Sequence, residues 1–360
     1  MVNEFNFRYP YQAVGFHSGW NTYNNLPTMR LSLSKRLRLK LRKHDYVVLK
    51  KKKDIPEFYM KSKKGSKQGL SSGVGSSIIK YKEEYYKLKR NGFKDKGIIK
   101  ENICDREFKI NAGGLNESTS YEDGGAYSLE DAKREIKMDA LLRKKGFILP
   151  QKIVGVYNIK NIYDKDSVSL IFEIESEFRA DEYFLMILTN IFYDIFKSKA
   201  RFIFLKDEFT FPKYNLKKSL QIIDNYSFFI KELGISIGSL YRKLHNKGVI
   251  RGIGNSWYGN EIICKSGEVG ICDLESAFTN KEIKDKNTFD ILKETDVNLA
   301  LTAIYESMNC FENSIASFAG GLLINSFKEG YASKRIYKLK RENINKIISR
   351  YLKIYKKIFI

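Results

Sequence analysis

The chain has 360 residues, of which 43% are hydrophobic, so it can bury one large core or two smaller ones. Its formal net charge of +22 leaves two interpretations open. It indicates either a surface for nucleic acid or anionic membrane, or a composition rich in Lys, Ile and Asn whose charge is spread widely. No apolar run reaches the length of a membrane helix, and the first residues lack the order of a signal peptide. We therefore expect a soluble cytoplasmic protein without a membrane span.

The cysteines and histidines are scattered along the chain. The four cysteines, at positions 104, 264, 272 and 310, form no C-x-x-C pair, and the three histidines are far apart. This spacing argues against a zinc site or a disulfide framework.

The first half is predicted to be rich in strands. Residues 36–42 alternate Arg or Lys with Leu, which predicts a strand with one basic face and a candidate surface for nucleic acid. Residues 61–77 are rich in Gly, Ser and Lys and are predicted to form a loop, and 83–89 a strand. Two further strands are expected at 151–159 and 167–175.

One helix interrupts these strands. Ser128 is a candidate N-cap with Asp131 as its capping-box partner, and Gly146 is expected to end the helix. Its predicted buried stripe consists of Leu129, Ala132, Ile136 and Ala140.

From residue 181 onward the chain is predicted to be mostly helical. Apolar residues at helical spacing end in a helix stop at Gly248, and "VI" (249–250) is a short strand. Residues 261–272 then read as a tight hairpin turning at "KSG". The change of composition near residue 177 divides the chain into domains 1–177 and 178–360.

Polar residues mark the two ends of this hairpin. Asn260 and Asp273 offer the oxygen ligands that Mg²⁺ prefers beside phosphate groups. Taken singly, Asn260 could be a turn residue and Asp273 the end of a strand. Their order after a helix, a glycine and a loop favours a metal site.

This order resembles the protein-kinase-like superfamily, in which an Asn ends the catalytic loop and an Asp opens the element after the hairpin. "KLHNKGVIRG" resembles the helix end before that loop, "IGNSWYGN" the loop, and "DLE" the D-F-G position. The resemblance implies an α+β, bilobal protein-kinase-like fold with a strand-rich N-lobe and a helical C-lobe. It also implies binding of ATP with Mg²⁺, or Mn²⁺, at Asn260 and Asp273.

The chain departs from ordinary kinases at the catalytic base. Counting back from Asn260 places Asn255 where kinases have Asp, and counting forward from the helix places Ile253 there. Neither can act as a base. "RGIGNS" (251–256) is instead similar to the catalytic segment of selenoprotein O adenylyltransferases, with Arg251 in place of His. That resemblance implies transfer of AMP to protein hydroxyls.

The first half adds three weaker similarities to the same family. "SGVGSS" (72–77) resembles its glycine-rich stretch, "KLKRNG" (87–92) its lysine motif, and the segment around Glu135 its helix motif. The resemblance implies that Lys89 binds the ATP phosphates and Glu135 is its ion-pair partner. Backbone N–H groups of Gly73, Gly75 and Ser76 would cradle phosphates, although a surface linker explains that composition equally well.

Three functions remain open from the sequence. The first is an ATP- and metal-binding transferase that moves AMP, or phosphate, to a protein substrate. The second is a catalytically inactive pseudokinase scaffold that binds a protein partner. The third is a basic nucleic-acid- or ribosome-binding protein, motivated by the net charge and by the basic strand at 36–42. The predicted C-terminal helix at 333–360 could lie on RNA, on an anionic surface or on the protein's own core. That helix carries ten Lys or Arg and one Glu, and a solvated basic face is the common explanation.

Overall fold

A computed structural model describes residues 70–71, 77–81, 84–89, 129–160, 166–176, 178–197, 214–251, 260–275, 277–283, 285–308 and 314–359. This part of the chain is a mixture of helices and small sheets and is mostly helical. It divides into two compact units. The N-terminal unit contains the described residues up to Glu175 together with Asp273–Ala277, and the C-terminal unit contains Ser176–Cys272 and the residues from Phe278 onward.

The N-terminal unit is built on one antiparallel sheet with the strand order β1-β2-β3-β5-β4. Its strands are β1 (Leu70–Ser71), β2 (Ser77–Tyr81), β3 (Glu84–Lys89), β4 (Gln151–Lys160) and β5 (Asp166–Ile174). The strands predicted at 83–89, 151–159 and 167–175 are confirmed. The loop predicted for 61–77 is wrong at residues 70–71 and 77, where the backbone pairs in the ladder between β1 and β2. Strand pairing satisfies backbone groups whatever the side chains are, so it overrides the turn composition of this segment.

Helix α1 (Leu129–Lys144) packs on β4 and β5. Gly146 ends it as predicted, with a positive φ of 77°. Phe147 N–H donates to the Leu142 carbonyl at 3.0 Å and Gly146 N–H to the Arg143 carbonyl at 3.0 Å, which is the Schellman arrangement. Ala132 and Ile136 of the predicted stripe are buried, whereas Ser128 lies outside the described residues.

The C-terminal unit is helical, as predicted. Its helices are α2 (Ala180–Phe196), α3 (Leu216–Asn246), α4 (Lys286–Met308), α5 (Ser314–Ala332) and α6 (Arg341–Phe359). Helix α2 is buried over nearly its whole length. Such a helix lies in the interior of a helical unit rather than at its surface.

Helices α3 and α5 pack at close range through glycine. A Cβ atom placed on Gly234, Gly238 or Gly330 would collide with the backbone of the opposite helix. Glycine is therefore required at these contacts, in spite of its low helix propensity.

Two short pairs of strands complete this unit. β6 (Val249–Ile250) pairs with β9 (Phe278–Thr279), and β7 (Glu261–Ile263) pairs with β8 (Val269–Ile271). The predicted hairpin is confirmed and turns at Gly267, whose φ is +82°. The predicted helix stop is confirmed at Gly248, which has a φ of +69° at the end of α3.

None of the helices in the described ranges is sufficiently long and apolar to cross a lipid bilayer.

Candidate functional site

A buried lysine surrounded by carboxylates is the central feature of the N-terminal unit. Lys89 Nζ lies 2.8 Å from Oε1 of Glu135, 2.5 Å from Oδ1 of Asp273 and 3.0 Å from Oε2 of Glu275. The side chains of Lys89 and Glu135 are 4% and 1% exposed, and those of Asp273 and Glu275 are 19% and 11% exposed. We call these four residues the Lys89 cluster. Its two acidic residues from 273–275 are the members that remain accessible.

Two regular elements hold the buried half of the cluster. Lys89 is the last residue of β3 and pairs with Leu170 in the middle of the sheet. Glu135 lies on α1 beside the buried Ile136, so the packing of the helix on the sheet brings the carboxylate to the lysine. The aromatic ring of Phe172 lies 6.0 Å from Lys89 Nζ and gives it an apolar wall.

The other half of the cluster comes from a short segment far along the chain. Asp273 has a φ of +57°, a left-handed conformation that Asp tolerates better than most residues. The guanidinium of Arg134 on α1 donates to the carbonyl of Ala277 at 2.7 Å. This bond ties the 273–277 segment to the helix that carries Glu135.

The Lys89 cluster contains three carboxylates and one lysine, and this imbalance affects the pKa of Glu135. The pKa of Glu135 is raised to about 7, because the effect of burial, supported by the neighbouring Glu275 and Asp273, exceeds the lowering by Lys89. With all four groups ionised, three negative charges face one positive charge. The cluster therefore attracts additional positive charge.

The oxygen atoms of this cluster form a possible ligand set for a cation. One oxygen each from Glu135, Asp273 and Glu275 lies within 4.8 Å of the others. An all-oxygen carboxylate set suits Mg²⁺ or Mn²⁺ rather than a metal that prefers sulfur or imidazole. The chemistry of this set suits a divalent cation, but of the predicted ligand pair Asn260 and Asp273 only Asp273 belongs to it. This is the one such acidic group found among the residues that the structure describes.

Sequence reasoning predicted three members of this cluster and missed the fourth. The predicted ion pair between Lys89 and Glu135 is present. The contact between Asp273 and Lys89 was not predicted, since the sequence paired Asp273 with Asn260. Glu275 stands two residues after Asp273 in "DLE", and this D-x-E spacing was the available signal.

Asn260, the other predicted metal ligand, lies in the C-terminal unit. Its side-chain Oδ1 accepts a hydrogen bond from Nη1 of Arg179 at 2.7 Å, and its carbonyl accepts from Cys272 N–H at 3.0 Å. Both Asn260 and Arg179 are buried. The side-chain oxygen of Asn260 is thus already bound by the guanidinium of Arg179. The metal-binding role of Asn260 stays a prediction.

Arg251, at the position where the motif that "RGIGNS" resembles has His, is part of a buried network in the C-terminal unit. Its guanidinium lies 2.5 Å from Oε1 of Glu261 and also donates to the hydroxyl of Tyr241. Its backbone N–H donates to Oδ2 of Asp296 at 2.9 Å, and the same oxygen lies 3.0 Å from Nε2 of His245. A fully buried arginine with these partners fixes the start of the predicted catalytic loop.

Four predicted site residues, Gly73, Gly75, Ser76 and Asn255, lie outside the described residues, as does the basic strand predicted at 36–42.

The chain matches no protein-family model, and a search of curated proteins finds no significant match.

Proposed function

We propose that this protein is a bilobal, kinase-like ATP- and metal-binding protein that transfers AMP from ATP to protein hydroxyls. The observation that carries the proposal is the buried ion pair between Lys89 on a strand and Glu135 on the next helix among the described residues. In protein kinases a strand lysine binds the nucleotide phosphates and is held by a glutamate of the next helix.

The position of Asp273 supports the same interpretation. In kinases the metal-binding aspartate follows a hairpin, and Asp273 follows the hairpin of β7 and β8 and lies beside the lysine. Lysine, glutamate and aspartate come from three separate parts of the sequence. Their convergence supports a shared role more strongly than any one of them.

Each residue of the Lys89 cluster receives a distinct role. Lys89 binds the phosphates of ATP as a point charge, and Glu135 holds its side chain in place. Asp273 and Glu275 are the accessible carboxylates and hold Mg²⁺ or Mn²⁺. A cation held by these carboxylates would neutralise charge on the phosphates.

The assignment of AMP transfer comes from the predicted catalytic loop. Position 255 is Asn and position 253 is Ile, so no carboxylate at either position takes a proton from the attacking hydroxyl. Transfer to a hydroxyl then depends on neutralising the charge that develops on the phosphates. The resemblance of "RGIGNS" to selenoprotein O favours AMP over phosphate as the transferred group.

Binding of ATP to the full-length protein, measured calorimetrically with and without Mg²⁺, tests this proposal. We expect Lys89→Ala and Asp273→Asn each to weaken Mg²⁺–ATP binding by roughly 10- to 100-fold, because each removes a charged contact to the bound group. We expect the Asp273→Asn loss to be much smaller without Mg²⁺.

Two exposed residues of the same unit supply matched controls. Lys144→Ala on α1 and Glu173→Gln on β5 remove the same charges away from the cluster and should leave ATP binding unchanged. Failure of the wild-type protein to bind ATP, or equal binding by wild type and Lys89→Ala with folding intact, would overturn the proposal.

A catalytically inactive scaffold is the second candidate. The observation that favours it is the absence of Asp at positions 253 and 255. Such a protein would bind ATP through the same cluster without transferring any part of it.

A further inference from the structure

Helix α6 has one buried face and one basic face. Its buried residues are Ile344, Ile347, Ile348, Tyr351 and Ile354. Lys346, Arg350, Lys353 and Lys357 recur at intervals of three and four residues and are all exposed. They form a stripe of four cations along about 16 Å of helix.

Aromatic rings of α3 lie beside this stripe. Lys346 Nζ lies 5.6 Å from the centre of the Phe229 ring, and the Arg350 guanidinium lies 6.0 Å from that of Tyr226. The neighbouring Phe228 packs edge-on against Phe229 at 5.9 Å but is itself 53% exposed. The exposed ring of Phe228 is therefore separated from Lys346 of the stripe only by the ring of Phe229.

Acidic groups compensate this stripe only in part. Arg350 Nη2 lies 2.5 Å from Oδ1 of Asp194, a partly buried carboxylate that also accepts from the Tyr226 hydroxyl. Glu342 is the single acidic residue among the ten Lys and Arg of the C-terminal segment 333–360. The C-terminal segment itself therefore has a large excess of positive charge.

We propose that this face binds single-stranded nucleic acid. The four cations of α6 contact the phosphates, and the exposed ring of Phe228 stacks on a base. Proteins that bind single strands combine these two elements, a basic track along the backbone and aromatic rings for the bases. The proposal is independent of ATP binding, because every residue in it lies in the C-terminal unit and outside the Lys89 cluster.

The surface fits a nucleic acid better than an anionic membrane. A helix that lies in a membrane inserts its apolar face, but the five apolar residues of α6 named above are already buried within the protein. Phe228 stands among polar helix neighbours, Asp224, Lys231 and Glu232, so it offers one ring and no apolar patch.

The test measures binding of a fluorescent U20 RNA and a T20 DNA to the full-length protein over a range of salt concentrations. A triple variant, Lys346→Gln, Lys353→Gln and Lys357→Gln, removes cations that form no ion pair with Asp194. We expect it to reduce the slope of log K against log salt by about 2, since each phosphate contact contributes about 0.7 on single strands. The affinity should fall at least tenfold at low salt.

A matched triple variant controls for loss of net charge. Lys137→Gln, Lys144→Gln and Lys152→Gln remove three exposed lysines of the N-terminal unit and should leave the slope unchanged. Phe228→Ala should weaken binding roughly tenfold without changing the slope, and Phe228→Tyr should restore it, because stacking requires a ring rather than a charge.

Three results would overturn the proposal. The first is that the wild-type protein binds neither the RNA nor the DNA at low salt. The second is that the two triple variants lose equal amounts of affinity. The third is that the protein binds phosphatidylserine vesicles more tightly than RNA and DNA, and that the α6 variant loses this binding. The last result would assign this face to an anionic membrane.

Discussion

Glu135 is held where its protonated and ionised forms have similar free energies near neutral pH. Its pKa is raised to about 7 chiefly by burial, and Asp273 and Glu275 act in the same direction. The ion pair with Lys89 is therefore completed only as the pH rises past neutrality. Any role of Lys89 that depends on a charged Glu135 shares this pH dependence.

This raised pKa makes the stability of the fold depend on pH. Glu135 ionises near pH 4.5 in the unfolded chain and near pH 7 in the folded protein, so between these values the folded state binds more protons. The stabilisation is complete below pH 4.5 and is lost as the pH rises through about 7. We expect the free energy of unfolding in urea to fall from about pH 5 to about pH 8 by more in wild type than in Glu135→Gln.

Asp139 and Asp181 also have raised pKa values because they are buried, but both remain in the Glu135→Gln variant. Their contributions therefore cancel in the comparison. Glu173→Gln, on the exposed side of β5, should follow the wild-type curve. Parallel curves for wild type and Glu135→Gln would show that Glu135 has an ordinary pKa in the fold.

The limits of sequence reasoning are visible within the Lys89 cluster. Lys89 and Glu135 were predicted from the resemblance of their segments to a lysine motif and a helix motif, because composition and periodicity alone do not single out either residue. Glu275 was marked only by its spacing from Asp273 in "DLE", and its contact with Lys89, which joins residues 186 positions apart, has no local signal. The hydrogen bond from Arg134 to Ala277 could not be predicted either, because it also joins distant segments of the chain. No local pattern in the helix indicates that Arg134 makes such a contact.

At the level of elements, the contact between α3 and α5 depends on the absence of side chains. Periodic apolar residues predict that α3 is a helix, and Gly248 predicts its end. The same reasoning treats Gly234 and Gly238 as weak points, because glycine costs about 1 kcal/mol in a helix interior. Only the partner helix explains them, since its backbone occupies the space that a Cβ would need.

A pair of glycine substitutions separates packing from helix propensity. Gly238→Ala places a methyl group against the backbone of Phe327 and Tyr331, and we expect it to lower the free energy of unfolding by about 1–3 kcal/mol. Gly321→Ala on α5 enters open space and should raise it by about 0.5–1 kcal/mol. Thermal and urea unfolding measure both changes. A neutral Gly238→Ala would mean that the two helices lie further apart.

For the whole molecule, the sequence predicted which halves contain strands and helices, and the described elements agree. It did not predict the strand order of the sheet or the presence of Asp273–Ala277 in the N-terminal unit. Hydrophobic periodicity predicts which face of an element is buried, but it does not predict which other element packs on that face. Pairings between distant segments therefore have no local signature.

The proposed transfer reaction gives a prediction for the intact protein. Incubation with ATP labelled at the α-phosphorus, in Mg²⁺ and separately in Mn²⁺, should label the protein or an added protein substrate. ATP labelled at the γ-phosphorus should not. The reason is that AMP transfer retains the α-phosphorus and releases pyrophosphate.

Lys89→Ala and Asp273→Asn control for a contaminating transferase, and both should abolish the α-label. Label from the γ-phosphorus alone would refute AMP transfer and indicate a kinase. No label from either position, with ATP still bound, would identify the inactive scaffold. Asn255→Asp then tests whether a base alone is missing.

Because Asp273–Ala277 belongs to the N-terminal unit, this unit cannot fold completely at an early stage of translation. Lys89 leaves the ribosome long before its partner Glu275, which follows 186 residues later. At about 5–20 residues per second this delay is on the order of 10–40 s. During that interval Lys89 and Glu135 are present without the segment that completes their site. The nascent N-terminal unit therefore reaches its final form only after residues 176–272 of the C-terminal unit have been translated.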